Sequence, residues 1–123
     1  MKILLDTHFL IWSFSDTGKL TDKQKSQLLS PKNVIYVSAI TVAEIMIKKA
    51  IGKLDITVDI DSVVKEMGFK LIDFTSREAT LLADLPLHHR DPFDRMLICQ
   101  AMANKMKIMT IDDKFKLYDC KLA

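Results

Sequence analysis

Asp6, Glu44, Asp94 and Asp112 stand where a chain ordinarily sets an apolar residue or a plain turn residue. Asp6 ends the apolar run of KILLD, Glu44 lies inside the helical pattern SAITVAEIMIKKA, Asp94 opens DRMLICQAMA, and Asp112 follows KIMTI. Carboxylates are seldom buried unless they are paired or hold a metal. Brought together by a fold, these four would form a site for a hard cation, and through it for phosphodiester chemistry.

Each residue also has a plainer reading. Asp6 could be a turn residue after a strand, with Thr7 capping the next helix. Glu44 shares helical spacing with Ile40, Ala43 and Ile47, which sets it on or beside the apolar face. Asp91 precedes Pro92, a residue suited to the first helical position, so Asp91 reads as the N-cap. Asp94 is then the third helical residue, where a negative charge favours the helix dipole. It also shares a face with Leu97, Ile98 and Ala101, which would bury it, and this favours a ligand role for Asp94 and a capping role for Asp91. Asp112 is nearer the strand end than Asp113, which could be solvated or start the following turn.

Other chemistry-bearing residues read blandly. His88-His89-Arg90 has no Cys or Glu at zinc-site spacing and reads as a polar loop. Met96, Met102, Met106 and Met109 read as core filler. Lys48, Lys49 and Lys53 read as a solvated face, the functional alternative being a path for an RNA backbone.

The elements that must position these groups follow from the same string. At 123 residues, 49% of them hydrophobic and few Gly or Pro, the chain is one globular domain, 1–123, rather than a disordered or fibrous segment. No apolar run approaches the roughly 18 residues needed to cross a bilayer, and the start MKILLD does not read as a signal peptide. Cys99 and Cys120 have no metal-like spacing and read as reduced thiols of a cytoplasmic protein. The net charge of +2 permits nucleic-acid binding without arguing for it.

Ile3 to Leu5, Val34 to Val37, Lys70 to Phe74 and Lys107 to Ile111 read as strands, with a last short one within Tyr118 to Leu122. Helices are expected from His8 to Phe14, from Thr21 to about Ser30, from Ser38 to about Ile51, from Asp59 to Met67, from Thr75 or Ser76 to about Asp84, and from Asp91-Pro92 to about Asn104. Strands alternating with helices predict a three-layer α/β/α sandwich around a mostly parallel sheet. Ligands of such sheets bind at the carboxyl ends of the strands. Asp6 and Asp112 each follow a strand, Glu44 is about a turn and a half into a helix, and Asp94 lies in the first turn of a returning helix. All four are therefore expected at one edge.

The residues also resemble a known family. LLDTHFLIW is similar to the first motif of PIN domains, the VapC-like toxin ribonucleases, and SAITVAEIMIKKAIGKL to the second. LPLHHRDPFDRMLICQAMANKMKIMTIDDKF resembles the third and fourth together, Asp94 matching the acid of D-x-x-I-A-x-A and Asp112 that of T-x-D-x-x-F. The likeness runs from residue 2 to about residue 115, and Cys99 stands where the family more often has Ala.

The resemblance implies a PIN-like fold and a metal-dependent endoribonuclease using Mg²⁺ or Mn²⁺, one ion or two. Asp6 and Asp94 would be direct ligands, with Glu44 and Asp112 binding a second ion or holding waters. Thr7 would hydrogen-bond a water or a scissile phosphate oxygen, and Arg90 and Arg95 would contact phosphate. It further implies an RNA substrate, a small cognate antitoxin protein and a homodimer. Two alternatives stay open: a non-catalytic binding module on the same fold, and a haloacid-dehalogenase-like phosphatase. The latter needs a second Asp two residues after the first, where this chain has His8.

Overall fold

A computed structural model describes residues 1–123. Strands β1 (Lys2–Leu5), β2 (Val34–Ser38), β3 (Lys70–Ile72) and β4 (Lys107–Met109) form one fully parallel sheet in the order β3-β2-β1-β4. The α-helices are α1 (Thr7–Ser15), α2 (Asp22–Leu29), α3 (Ala39–Ala50), α4 (Ile60–Glu66), α5 (Ser76–Thr80) and α6 (Pro92–Ala103). No helix is long and apolar enough to cross a membrane.

The central strand explains the layers. Ile3, Leu4 and Leu5 are all fully buried, so β1 has no wet face. Successive side chains of a strand point to opposite sides. Ile3 and Leu5 accordingly pack with Phe9 and Leu10 of α1, Ile45 of α3 and Val64 of α4. Leu4 packs the other way, against Leu97, Ile98 and Ala101 of α6 and against Phe115. The three-layer α/β/α sandwich read from the sequence is what the chain adopts.

Local chemistry sets the boundaries. Thr21 and Thr75 open α2 and α5 with complete capping boxes, Gln24 and Glu78 returning to the cap N–H groups. Gly52 and Gly68, both at φ +76°, follow α3 and α4 in the left-handed region that side chains with a Cβ avoid.

Three expectations need correction. The strands at Lys70 and Lys107 end at Ile72 and Met109, short of Phe74 and Ile111. The helix from Thr75 narrows to a 3₁₀ turn at Leu81–Asp84. No fifth strand forms: after a 3₁₀ turn at Asp113–Leu117, the tail makes one parallel bridge, Ile108 with Leu122. With β4 only three residues long, the tail finds just the Ile108 N–H and C=O to pair with, bonding Lys121 O and Ala123 N at 2.9 and 2.8 Å.

Truncating Leu4 to Ala empties a fully buried position at the middle of the sheet. It is expected to cost about 2–5 kcal/mol of unfolding free energy, read from the midpoint of a urea transition.

Candidate functional site

Parallel pairing of β1 with β4 aligns their carboxyl ends, and the Asp6 N–H extends the ladder to the Met109 carbonyl at 3.2 Å. The Asp6 carboxylate then caps α1: its Oδ1 accepts the Phe9 N–H at 3.0 Å while the residue is only 4% exposed. Asp6, not Thr7, is therefore the cap. The Thr7 hydroxyl is free to donate to Glu44 Oε1 at 2.7 Å, with Thr41 Oγ1 3.4 Å away.

Glu44 is buried on α3, in company different from that expected. Its buried neighbours on the helix are Ile40, Thr41 and Ile45, whereas Ala43 is exposed and Ile47 is half in solvent. Its Oε2 accepts from Lys48 Nζ at 2.6 Å. Lys48 thus leaves the solvated lysine face, on which Lys49 and Lys53 remain exposed.

Asp91 caps α6 by accepting the Asp94 N–H at 3.0 Å, which leaves the Asp94 carboxylate aimed elsewhere. Asp94 Oδ2 is 3.0 Å from His89 Nε2, and Asp112 Oδ2 is 2.8 Å from the same nitrogen. The ligand atoms of this trio lie within 4.8 Å of one another. Asp112 holds its own place by capping the turn after it, Oδ1 accepting the Lys114 N–H at 2.9 Å. Asp113 faces solvent and pairs with Lys116 at 3.2 Å.

The electrostatics connect the two halves of the cluster. Burial pushes the Asp94 carboxyl up to about 7, the charge of Asp91 adds to this, and Glu44 and Asp6 push the same way against the relief from His89. Burial also raises Asp6, with Glu44 adding to it, although the Phe9 N–H and the Thr110 hydroxyl oppose the rise. The hydrogen bond to Glu44 raises the Lys48 ammonium, helped by the charges of Asp91 and Asp94. At Asp112 burial is outweighed by the Lys114 N–H and by His89, and the carboxyl is lowered.

Asp6, Glu44 and Asp94, from three separate elements, therefore feel one another through space, and Asp112 joins through His89. The donors are carboxylate oxygens, the set suited to Mg²⁺ or Mn²⁺. A cation among them would offset both the burial and the like charges that raise Asp94.

Three expectations change here. Arg95 is not free for phosphate, because its guanidinium donates to the carbonyls of Pro86, His89 and Leu85 at 3.0, 3.2 and 3.2 Å. Arg90 is exposed. His89 is no part of a solvated loop, being 6% exposed. Local pattern carries no signal for it, because its burial depends on Tyr118 and Phe115, far along the chain. Of the methionines read as core, Met106 and Met109 are buried, but Met102 is 39% exposed.

The family model described as PIN domain matches residues 3–120. No curated protein matches the sequence. Among solved structures the chain is similar to VapBC2 from Rickettsia felis bound to a DNA fragment from their promoter, at 18% identity and TM-score 0.75, covering 100% of this chain and 98% of that one. It is also similar to FitAcB from Neisseria gonorrhoeae, at 21% identity and TM-score 0.67, covering 98% and 95%. VapBC-1 from nontypeable Haemophilus influenzae follows at 19% identity and TM-score 0.67, covering 100% and 97%.

The raised Asp94 pKa has a sign that can be checked. The folded, metal-free chain binds this proton more tightly than the unfolded chain does. The stabilisation is full below about pH 4 and is lost as pH rises through about 7. In EDTA the melting temperature of the wild type is expected to fall between pH 5 and pH 8, and Asp94→Asn to flatten that fall.

Proposed function

This chain belongs to the PIN-domain family, and on that premise we propose that it is a divalent-metal-dependent endoribonuclease, the toxin of a toxin–antitoxin pair. The observation that carries the reading is the convergence of Asp6, Glu44 and Asp94 from three places in the chain on one sheet edge, where burial first, and then the charges of Asp91, Glu44 and Asp6, push Asp94 up to about 7. Structural ion pairs perturb carboxyl groups too, but here the cluster holds more acid than base, with only Lys48 making a direct ion pair to Glu44.

In this reading Asp6 and Asp94 hold Mg²⁺ or Mn²⁺ directly, while Glu44 and Asp112 complete its surroundings or fix waters. Each acid is already oriented, since one oxygen of Asp6, Glu44 and Asp112 is bonded within the protein. Thr7 acts by aiming Glu44. A bound divalent ion supplies an activated water and neutralises charge developing on the phosphate. Arg90, exposed beside the cluster, is the arginine available to a phosphate.

RNA is the proposed substrate by family likeness. A small antitoxin protein is the proposed regulator, supported by likeness to the VapBC and FitAB structures. A homodimer and a cytoplasmic location complete the proposal.

The test uses labelled structured RNAs with Mg²⁺ or Mn²⁺, the wild type beside Asp6→Asn and Glu44→Gln. Cleavage is expected only with metal. Each variant should lose more than the roughly 10–100-fold that removing a group behind a metal ligand costs. Metal-dependent cleavage that survives Asp6→Asn would remove Asp6 from the site, and absence of both cleavage and metal binding would favour a non-catalytic binding module.

A further inference from the structure

His89 stands between two of the acids, and its environment decides which of its nitrogens carries hydrogen. Nδ1 lies 3.1 Å from the backbone nitrogen of Asp91, which donates to it. A ring nitrogen that accepts cannot be protonated, so the proton of this imidazole is on Nε2. That N–H is bonded to Asp112 Oδ2 at 2.8 Å, with Asp94 Oδ2 3.0 Å from the same nitrogen. The same three groups are close enough to suggest a metal site with His89 as a ligand. Ligation through Nε2 would require that proton to leave, while the Asp91 N–H goes on occupying Nδ1.

The loop is built to hold this arrangement. The Tyr118 hydroxyl accepts the N–H groups of His88 and His89 at 2.9 and 2.7 Å. Arg95 donates to the carbonyls of Leu85, Pro86 and His89, tying the loop to α6 one residue beyond Asp94. The ring meets Phe115 edge to face at 5.8 Å between centroids. Backbone N–H groups, carbonyls and ring are thus each fixed from a different direction.

We infer that His89 is a positioning residue of the acidic site, tying Asp112 to Asp94 through a proton held on Nε2, and not a metal ligand. Arg95 and Tyr118 serve it by fixing the loop. Without the bridge, Asp112 would keep only its cap to the Lys114 N–H, and Asp94 would lose the ring nitrogen that stands 3.0 Å from its Oδ2. The inference rests on the nuclease reading only for the purpose of the carboxylates.

The first measurement is nitrogen NMR of the metal-free chain labelled with ¹⁵N-histidine, the His89 signals assigned by their loss in His89→Gln. Two-bond couplings are expected to place the proton on Nε2 and leave Nδ1 bare. A ring protonated on Nδ1 alone overturns the inference, whatever the chain does with metal or RNA. The second is Mn²⁺ titration of the wild type, His89→Phe and His89→Gln, with thermal unfolding alongside. Phe keeps the ring against Phe115 but has no N–H to give, and Mn²⁺ affinity should fall about 10–100-fold. Gln restores a donor and should recover most of that loss.

Unchanged affinity in a folded His89→Phe, or imidazole-nitrogen coupling to bound Mn²⁺ in the wild type, also overturns the inference. If His89→Phe does not fold, Tyr118→Phe, which removes the acceptor of both loop N–H groups, is expected to weaken Mn²⁺ in the same direction. A wild type that neither binds Mn²⁺ nor cuts RNA sinks the nuclease reading instead, and the NMR result still decides the role of His89.

Discussion

Repulsion among carboxylates brought to one sheet edge is the constraint on which this molecule turns. Burial first, and then the charges of Asp91, Glu44 and Asp6, push Asp94 up to about 7. Such an arrangement opposes folding and must be offset elsewhere. The offset lies beneath it, where two apolar clusters bury Ile3, Leu4 and Leu5 of β1 from both sides. The core does not merely stabilise the fold; it holds these acids where burial and like charge raise the Asp94 carboxyl. A site strained in this way is poised to take up positive charge.

Capping by itself does not use up a carboxylate. A carboxylate has two oxygens, and a backbone cap uses only one of them, as at Asp112, whose Oδ2 still meets His89 Nε2 at 2.8 Å. Asp6 Oδ1 takes the Phe9 N–H, and Asp112 Oδ1 takes the Lys114 N–H. Glu44 has both oxygens engaged, by Thr7 and Lys48, so its position reports a side-chain network rather than a cap. Preorganised rotamers of this kind cost little further entropy when a ligand arrives. The cap is what aims the acid.

The loop before α6 shows the same economy at longer range. Arg95 stands beside Asp94 in sequence and turns away from the cluster to hold three carbonyls of the loop. Tyr118, from the tail of the chain, holds two of the N–H groups. Between them His89 reaches Asp94 and Asp112, so the carboxyl-terminal segment takes part in shaping a site whose acids lie elsewhere.

The alternation of strands and helices, the caps at Thr21 and Asp91, and the strand or helix on which each acid rides were legible in the sequence, because each depends on neighbours within a few residues, whereas the first cap fell on Asp6 rather than Thr7. Asp91-Pro92 announces a helix start, and KILLD announces a buried strand with a charge at its end. The third helical position of Asp94 followed directly from that register. Side-chain partnerships were not legible, since they depend on groups far apart in the chain. Thr7 finds Glu44, Arg95 turns from solvent to backbone carbonyls, and His89 goes from an apparent loop residue to a buried bridge. The expected fifth strand is also absent: Tyr118 to Leu122 carries no β-branched residue, and the tail pairs with β4 only through Ile108. Sequence by itself determined which residues carry the acid and on which elements they ride. Only the tertiary structure decided what each oxygen and nitrogen touches, because packing, not local propensity, sets distances between residues far apart along the chain.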